Sequence, residues 1–206
     1  MLSNHGGWIQ HPGPFADNDR VRRVSVVGNS GSGKTTFAAE LGRRTGVPHL
    51  ELDSVFHQPG WQPLPTEEFR ARVAGFTAGE RWVVDGNYSK VQDLVWDRAD
   101  TVIWLDPPRH RVMRRIVWRT LRRVFSGAEL WNGNRESWRN LLRADPESSV
   151  IAWAWISHRD VRARYAQAQA DPANAHLEFI RVRSDRDAAA LLDRAGAGRA
   201  GAGPAA

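Results

Sequence analysis

The residues best suited to chemistry stand in one short run, Gly28-Asn-Ser-Gly-Ser-Gly-Lys-Thr35, which fits the pattern G-x-x-x-x-G-K-[ST] in full. A β-branched stretch, Val24–Val27, precedes it, and a helix-like stretch from Thr36 to Arg43 follows. Strand, glycine turn and helix are the context in which this pattern binds phosphate. Glycines let the backbone curl until successive N–H groups face one point, forming an anion nest. The positive end of the following helix aims at the same point. Gly28, Ser30, Gly31, Ser32, Gly33, Lys34, Thr35 and Thr36 are therefore the expected cradle of a nucleoside triphosphate. Lys34 is placed to reach the β- and γ-phosphates, and Thr35 to bind Mg²⁺ through its hydroxyl. A dinucleotide fingerprint fails here, because G-x-G-x-x-G begun at Gly31 needs glycine where Thr36 stands.

Two carboxylates complete a phosphoryl-transfer set. Asp85 ends the run Arg81-Trp-Val-Val-Asp85 and precedes Gly86-Asn87-Tyr88. An acid at the tip of a strand beside the phosphate loop holds Mg²⁺ directly or through water; the same residue also suits a plain turn before glycine. Asp53 ends the second apolar run, His49–Leu52, and opens the loop Ser54–Pro65. There it faces a phosphoryl acceptor and takes the proton of an attacking hydroxyl. The loop is short, so the acceptor pocket is small. His57 and Trp61 read as its walls, and Trp61 equally as a loop anchor. Asn87 and Tyr88 read equally as acceptor contacts and as residues that shape the turn. Asp106, before Pro107-Pro108, reads as a helix-start residue in preference to a second group near the metal.

Positive charge follows in a third cluster. Arg109, Arg111, Arg114, Arg115, Arg119, Arg122 and Arg123 fall on one broad arc of a helical wheel, with Val112, Met113, Ile116 and Val117 among those on the remainder. Such an arc is usually a solvated face. Beside a phosphate site its arginines also deliver charge to a moving phosphoryl group. Arg115, Arg119, Arg122 and Arg123 are the candidates, with Arg119 and Arg123 taken as catalytic; Arg135, Arg159 and Arg162 rank behind them.

Composition narrows the partners. The chain has 206 residues and a net charge of +6, and of its 29 basic residues only Lys34 and Lys90 are lysine. A basic balance and ten tryptophans also suit a nucleotide-dependent regulatory or nucleic-acid-binding protein, with aromatic stacking and arginines along a backbone. No recognised DNA-binding motif is present, so nucleic acid is the less favoured partner. With no cysteine, disulfides and thiolate metal sites are excluded. No run is apolar and long enough to span a membrane, and no secretory leader is visible; a cytoplasmic location is the default expectation.

The elements that must hold these residues alternate. Strands are expected at Val24–Val27, His49–Leu52, Trp82–Asp85, Thr101–Leu105 and Leu177–Val182. Helices are expected at Lys34–Arg44, Thr66–Thr77, Pro108–Val124, about Glu147 to Ala170, and Asp185–Ala195. Thr66-Glu67-Glu68 before Phe69 comes close to a capping box. The alternation predicts an α/β fold with a parallel sheet covered on both faces. Residues 1–20 read as a flexible leader, 21–195 as the domain and 196–206 as a disordered tail. Turn residues between about 125 and 146 break the pattern and predict a lid over the phosphate end.

Four segments carry a resemblance: GNSGSGKTT at 28–36, LELDSVFHQPGW at 50–61, RWVVDGNY at 81–88 and DTVIWLDPPRHRVMRRIVWRTLRR at 100–123. Through them the chain resembles the adenylate-kinase-like P-loop proteins, and within these the group often labelled DNA topology modulation proteins. The resemblance implies a three-layer sandwich with a five-stranded parallel sheet in the order 2-3-1-4-5 and a mobile helical lid. It also implies ATP and Mg²⁺, with Lys34 and Thr35 as phosphate and metal contacts and Asp85 as the second metal acid. The long acceptor-binding helical insert of nucleoside monophosphate kinases has no counterpart. A small-molecule or nucleoside kinase is the resulting expectation.

Overall fold

A strand covered on both faces is buried along its length, and the three inner strands, Arg23–Gly28, Trp82–Asp85 and Thr101–Leu105, are of that kind. The computed structural model describes residues 22–126, 131–133 and 150–200. Within them the chain runs β1 (Arg23–Gly28), α1 (Lys34–Thr45), β2 (His49–Glu51), α2 (Leu52–Phe56), α3 (Thr66–Thr77), β3 (Trp82–Asp85), α4 (Ser89–Trp96), β4 (Thr101–Leu105), α5 (Arg109–Ser126), α6 (Val150–Ala170), β5 (Glu178–Val182) and α7 (Asp185–Ala200). The sheet order is β2-β3-β1-β4-β5 and every pairing is parallel.

Alternation along each strand divides the core in two. Val24, Val26, Val83, Ile103 and Leu105 pack with Phe37, Ala38 and Leu41 of α1 and Leu191 of α7. Val27, Trp82, Val84, Val102 and Trp104 pack on the other face with residues of α3, α4 and α6. Trp82 and Trp104 are the largest fully buried side chains. Each apolar side chain so buried stabilises the fold by roughly 1.5–3 kcal/mol before entropy is counted.

The differences from expectation are local. β2 stops at Glu51, and Leu52 opens the short helix α2. Asp53 therefore sits in the first turn of α2 and does not end a strand. Helix α4, also unforeseen, fills the crossover between the parallel strands β3 and β4 and buries Val91, Val95 and Trp96. Thr66 begins α3 but makes no side-chain cap; Pro65 holds that position. The reciprocal cap forms at α7 instead, where the Ser184 N–H donates to Asp187 Oδ2 at 3.0 Å and the Asp187 N–H donates to Ser184 Oγ at 3.1 Å. The Ser184 hydroxyl beside it, more than the backbone bond, holds the Asp187 carboxyl below its ordinary value. α7 continues to Ala200, past the expected boundary at Ala195, with Ala195 buried and Gly196 against the Arg44 side chain. The leader at 1–20 and the end of the tail lie outside the described residues, as does the lid apart from the end of α5 and the turn Trp131–Gly133. Among the described residues no helix is long and apolar enough to cross a membrane.

Asp106 is a clamp rather than a helix-start residue. Buried at 8% exposure, it accepts from Arg181 Nε at 2.9 Å and Nη2 at 2.5 Å, and pairs with Arg162 Nε at 3.2 Å. The Arg181 guanidinium also lies 4.1 Å over the Trp104 ring. The acid thus ties β4, β5 and α6 together. Asp106→Ala leaves Arg181 without its carboxylate and is expected to cost about 2–3 kcal/mol, below a fully buried pair because Arg162 is half exposed. Urea unfolding of the variant beside the parent checks this.

Candidate active site

Register brings the site together. Val26 pairs with Asp85, Gly28 with Leu105 and Glu51 with Asp85, so β1, β2, β3 and β4 end along one edge. The loop from Gly28 to Gly33 rises from that edge and delivers the chain into α1 at Lys34.

Two glycines make the loop possible. Gly33 caps α1 at φ +95°, and Gly31 has φ +74°. A Cβ on Gly31 would fall 2.4 Å from Ile116 Cγ1, so α5 lies directly on the loop. The Ser32 N–H donates to the Asn29 carbonyl at 3.1 Å, and the Ser30 N–H to Asn29 Oδ1 at 2.8 Å. Among the described residues the N–H groups of Gly31, Gly33, Lys34, Thr35 and Thr36 meet no acceptor. Helix starts leave such donors over, and here they are the donors available to an anion. The amides of Gly28, Ser30 and Ser32 are engaged within the protein.

Asn87 accounts for Gly28. Its Oδ1 accepts from the Gly28 N–H at 3.2 Å, and its Nδ2 donates to the Gly28 carbonyl at 2.5 Å. The Tyr165 hydroxyl donates to the same Oδ1 at 2.9 Å. The Asn87 amide is thus spent on joining the ends of β1 and β3, and is not an acceptor contact.

Asp85 is 1% exposed. Its Oδ2 accepts from Thr35 Oγ1 at 2.7 Å, and its Oδ1 lies 2.8 Å from His49 Nε2. His49 was not anticipated. Its signal is the two-residue period of β2, which sets His49 and Glu51 on one face alongside Val83 and Asp85. A hydroxyl and a carboxylate suit a hard divalent ion that keeps several waters and takes phosphate oxygens. Among the described residues no group of three or more His, Asp or Glu side chains forms a metal cage, so the chain supplies few ligands of its own.

Asp53 Oδ1 accepts from the Tyr88 hydroxyl at 2.6 Å, and that hydroxyl lies 3.3 Å from His57 Nε2. Burial, and then the Asp53 carboxylate beside it, push the Tyr88 phenol above its ordinary value. Phe56 and Phe69 hold the Tyr88 ring at centroid distances of 4.7 and 5.3 Å.

Thr35 and Asp53 line one cleft of about 910 Å³, and each is hydrogen-bonded to a residue that does not line it, Asp85 and Tyr88. Asp53, His57 and Trp61 line it together with the phosphate loop, Phe37 of α1 and the stretch Val182–Asp185. Trp61 has φ +60° and 39% exposure. Asn132 Nδ2 donates to the His57 carbonyl at 2.5 Å, closing the turn 131–133 against the loop that carries Trp61. Of the expected arginines, Arg115 and Arg119 line the cleft. Arg115 Nη1 donates to the Ser32 carbonyl at 2.9 Å, and Nη2 pairs with Asp185. Arg122 is exposed and does not line the cleft, and Arg162 is bound to Asp106. The side chain of Arg123 and all of Arg135 lie outside the described residues.

No family model and no curated protein matches the chain. Solved structures do. A shikimate kinase from Acinetobacter baumannii in complex with shikimate is 18% identical, over 84% of this chain and 90% of that one, with a TM-score of 0.50. A gluconokinase from Sinorhizobium meliloti 1021 is 18% identical, over 87% and 92%, with a TM-score of 0.45. The α/β architecture and strand order are those of P-loop small-molecule kinases. Support for the DNA topology modulation group in particular is lacking.

The Asn87 clasp is the support that both the site and the fold share. Asn87→Ala is expected to lower stability by about 1–3 kcal/mol, since it leaves Gly28 and Tyr165 polar groups without their partner. Chemical denaturation measures the loss.

Proposed function

We propose that the protein is a phosphotransferase that moves the γ-phosphoryl group of magnesium-bound ATP to a hydroxyl of a small acceptor. The observation that carries the reading is the joining, in one cleft, of the glycine loop, Thr35 with Asp85 bonded behind it, and Asp53. The fold it shares with small-molecule kinases supports the same class.

In this reading the amides of Gly31 and Gly33 to Thr36 hold the phosphates, and Lys34 neutralises charge between β and γ. Thr35 and Asp85 would hold Mg²⁺, which would supply positive charge against that of the phosphates. Arg119 faces the transferring group, and the unassigned Arg123 stays a candidate beside it. Arg115, tied to Ser32 and Asp185, fixes the loop instead of following the phosphoryl group. The base is received between Phe37, Leu105, Val182 and Leu192, with no base-reading N-K-x-D run to favour guanine. At the other end Asp53 takes the acceptor proton while the acceptor oxygen bonds to the γ-phosphorus. The bridging P–O bond breaks, and its electrons leave on ADP. His57 and Trp61 wall the acceptor. The neighbouring shikimate kinase is in complex with shikimate, which makes a small polyhydroxylated acceptor the first class to try. Membership of the DNA topology modulation group rests on the four sequence segments alone.

Calorimetry with a non-hydrolysable ATP analogue and Mg²⁺ is expected to show binding that Lys34→Ala abolishes; a folded parent that gives no heat refutes the reading. In ADP-release assays across small alcohols, Asp53→Asn is expected to lower turnover about 10²–10⁴-fold while nucleotide affinity holds.

A second reading, a nucleic-acid-binding protein, draws on α5, where His110, Arg114, Trp118 and Arg122 are exposed four residues apart and Trp118 is 72% exposed. Binding of single-stranded oligonucleotides that survives physiological salt and is lost in Trp118→Ala would favour it.

A further inference from the structure

The Asp53 carboxylate is held from one side only. Oδ1 accepts the Tyr88 hydroxyl at 2.6 Å, and no bond to Oδ2 is found among the described residues. Tyr88 does not itself line the cleft, whereas Asp53 does. The phenol has one proton, and the shorter bond spends it on Asp53. His57 Nε2, at 3.3 Å, is then the donor to the Tyr88 oxygen, which fixes the imidazole with its proton on Nε2. Three aromatic contacts keep this order. Phe56 and Phe69 pack on Tyr88, and Phe56 lies edge-on to His57 at 5.2 Å.

We propose that Tyr88 is a positioning residue that turns Asp53 Oδ2 toward the acceptor, with His57 holding the phenol in that orientation. The assignment deepens the phosphotransferase reading and rests on it for its catalytic meaning. A free aspartate in the first turn of a short helix rotates about χ1 and χ2. A single strong donor on Oδ1 removes that freedom and leaves one oxygen for the incoming hydroxyl. Because the phenol ionises only above its ordinary range, the donation persists throughout neutral and mildly alkaline pH. In the transfer step the acceptor proton passes to Oδ2, the acceptor oxygen bonds to the γ-phosphorus of ATP, and the bond to the β-bridging oxygen breaks with its electrons on ADP. Tyr88 keeps its own proton. The titratable groups facing this cluster are Glu51, Asp53 and His57, with Lys90 5.6 Å over the Phe56 ring.

The test uses Tyr88→Phe in the full chain, which keeps the ring and its packing. The Asp53 carboxyl is followed by carbon NMR at neutral pH, without nucleotide or acceptor. Hydrolysis of Mg·ATP, with water as the acceptor, is followed in parallel. The expected result is a moved Asp53 carboxyl carbon resonance at neutral pH and a fall in kcat of about tenfold with the KM for ATP unchanged. An unmoved Asp53 resonance, or a kcat equal to the parent's, overturns the proposal. If Tyr88→Phe does not fold, the decision passes to Asp53→Asn labelled with fluorotyrosine. There are only two tyrosines, Tyr88 and Tyr165, so fluorine NMR reports the Tyr88 ionisation directly. That ionisation must fall toward its ordinary value in the variant, and no change again overturns the proposal. Failure of the parent to bind the magnesium nucleotide strikes the phosphotransferase reading, while the two NMR measurements still decide whether Tyr88 holds Asp53.

Discussion

A slip of one residue between β1 and β3 would turn Asp85 to the opposite face of the sheet and take it away from Thr35. The register Val26 to Asp85 is therefore the constraint beneath the whole cleft. Burial sets that register, because Val24 and Val26 must meet one hydrophobic layer and Val27 the other. Asn87 then fixes it at the end that matters, exchanging two hydrogen bonds with Gly28 where the strand ladder runs out. Core packing and the geometry of the phosphate loop are in this way the same problem solved once.

Electrostatics is arranged around that register with little surplus. Asp85 is almost wholly buried, a costly place for a carboxylate unless each oxygen has a partner. Thr35 and His49 supply one each. The cations on α5 are used unequally. Arg115 has its guanidinium divided between a loop carbonyl and Asp185, and a group so held stiffens the loop and has no reach left for a moving phosphate. A run of arginines on one helix thus contains fixed and solvated members within two turns.

Much of the frame was legible in the sequence because burial wrote it there. Trp82–Asp85 and Thr101–Leu105 are continuous apolar runs ended by an acid or a proline pair, and both formed with the expected bounds. Short elements carried no such signal. Leu52–Phe56 is under two turns long, too few for a helical period to register, so Asp53 was read as the end of a strand. Helix α4 did have apolar residues at 91, 94 and 95, but at eight residues it was passed over beside longer neighbours. Side-chain partnerships were the least visible. Nothing in the order of residues says that Asn87 will meet Gly28, 59 positions away, or that His49 will reach Asp85. They are consequences of strand order, and strand order came from resemblance rather than from pattern.

The helix that hid Asp53 also explains why it can be aimed. At the end of a strand the side chain would project from the sheet with its direction fixed by the pleat. In the first turn of α2 it instead approaches the residues that follow β3, and Tyr88 stands there because Gly86 and Asn87 have already turned the chain off the sheet. The residue that seals the P-loop end of β1 and the residue that grips the acceptor-side acid are neighbours in sequence, Asn87 and Tyr88. Any displacement of the turn at Gly86 moves both together. The spacing between phosphate cradle and carboxylate is therefore set by one short, hydrogen-bonded turn, which is a stiffer ruler than two independent loops would be.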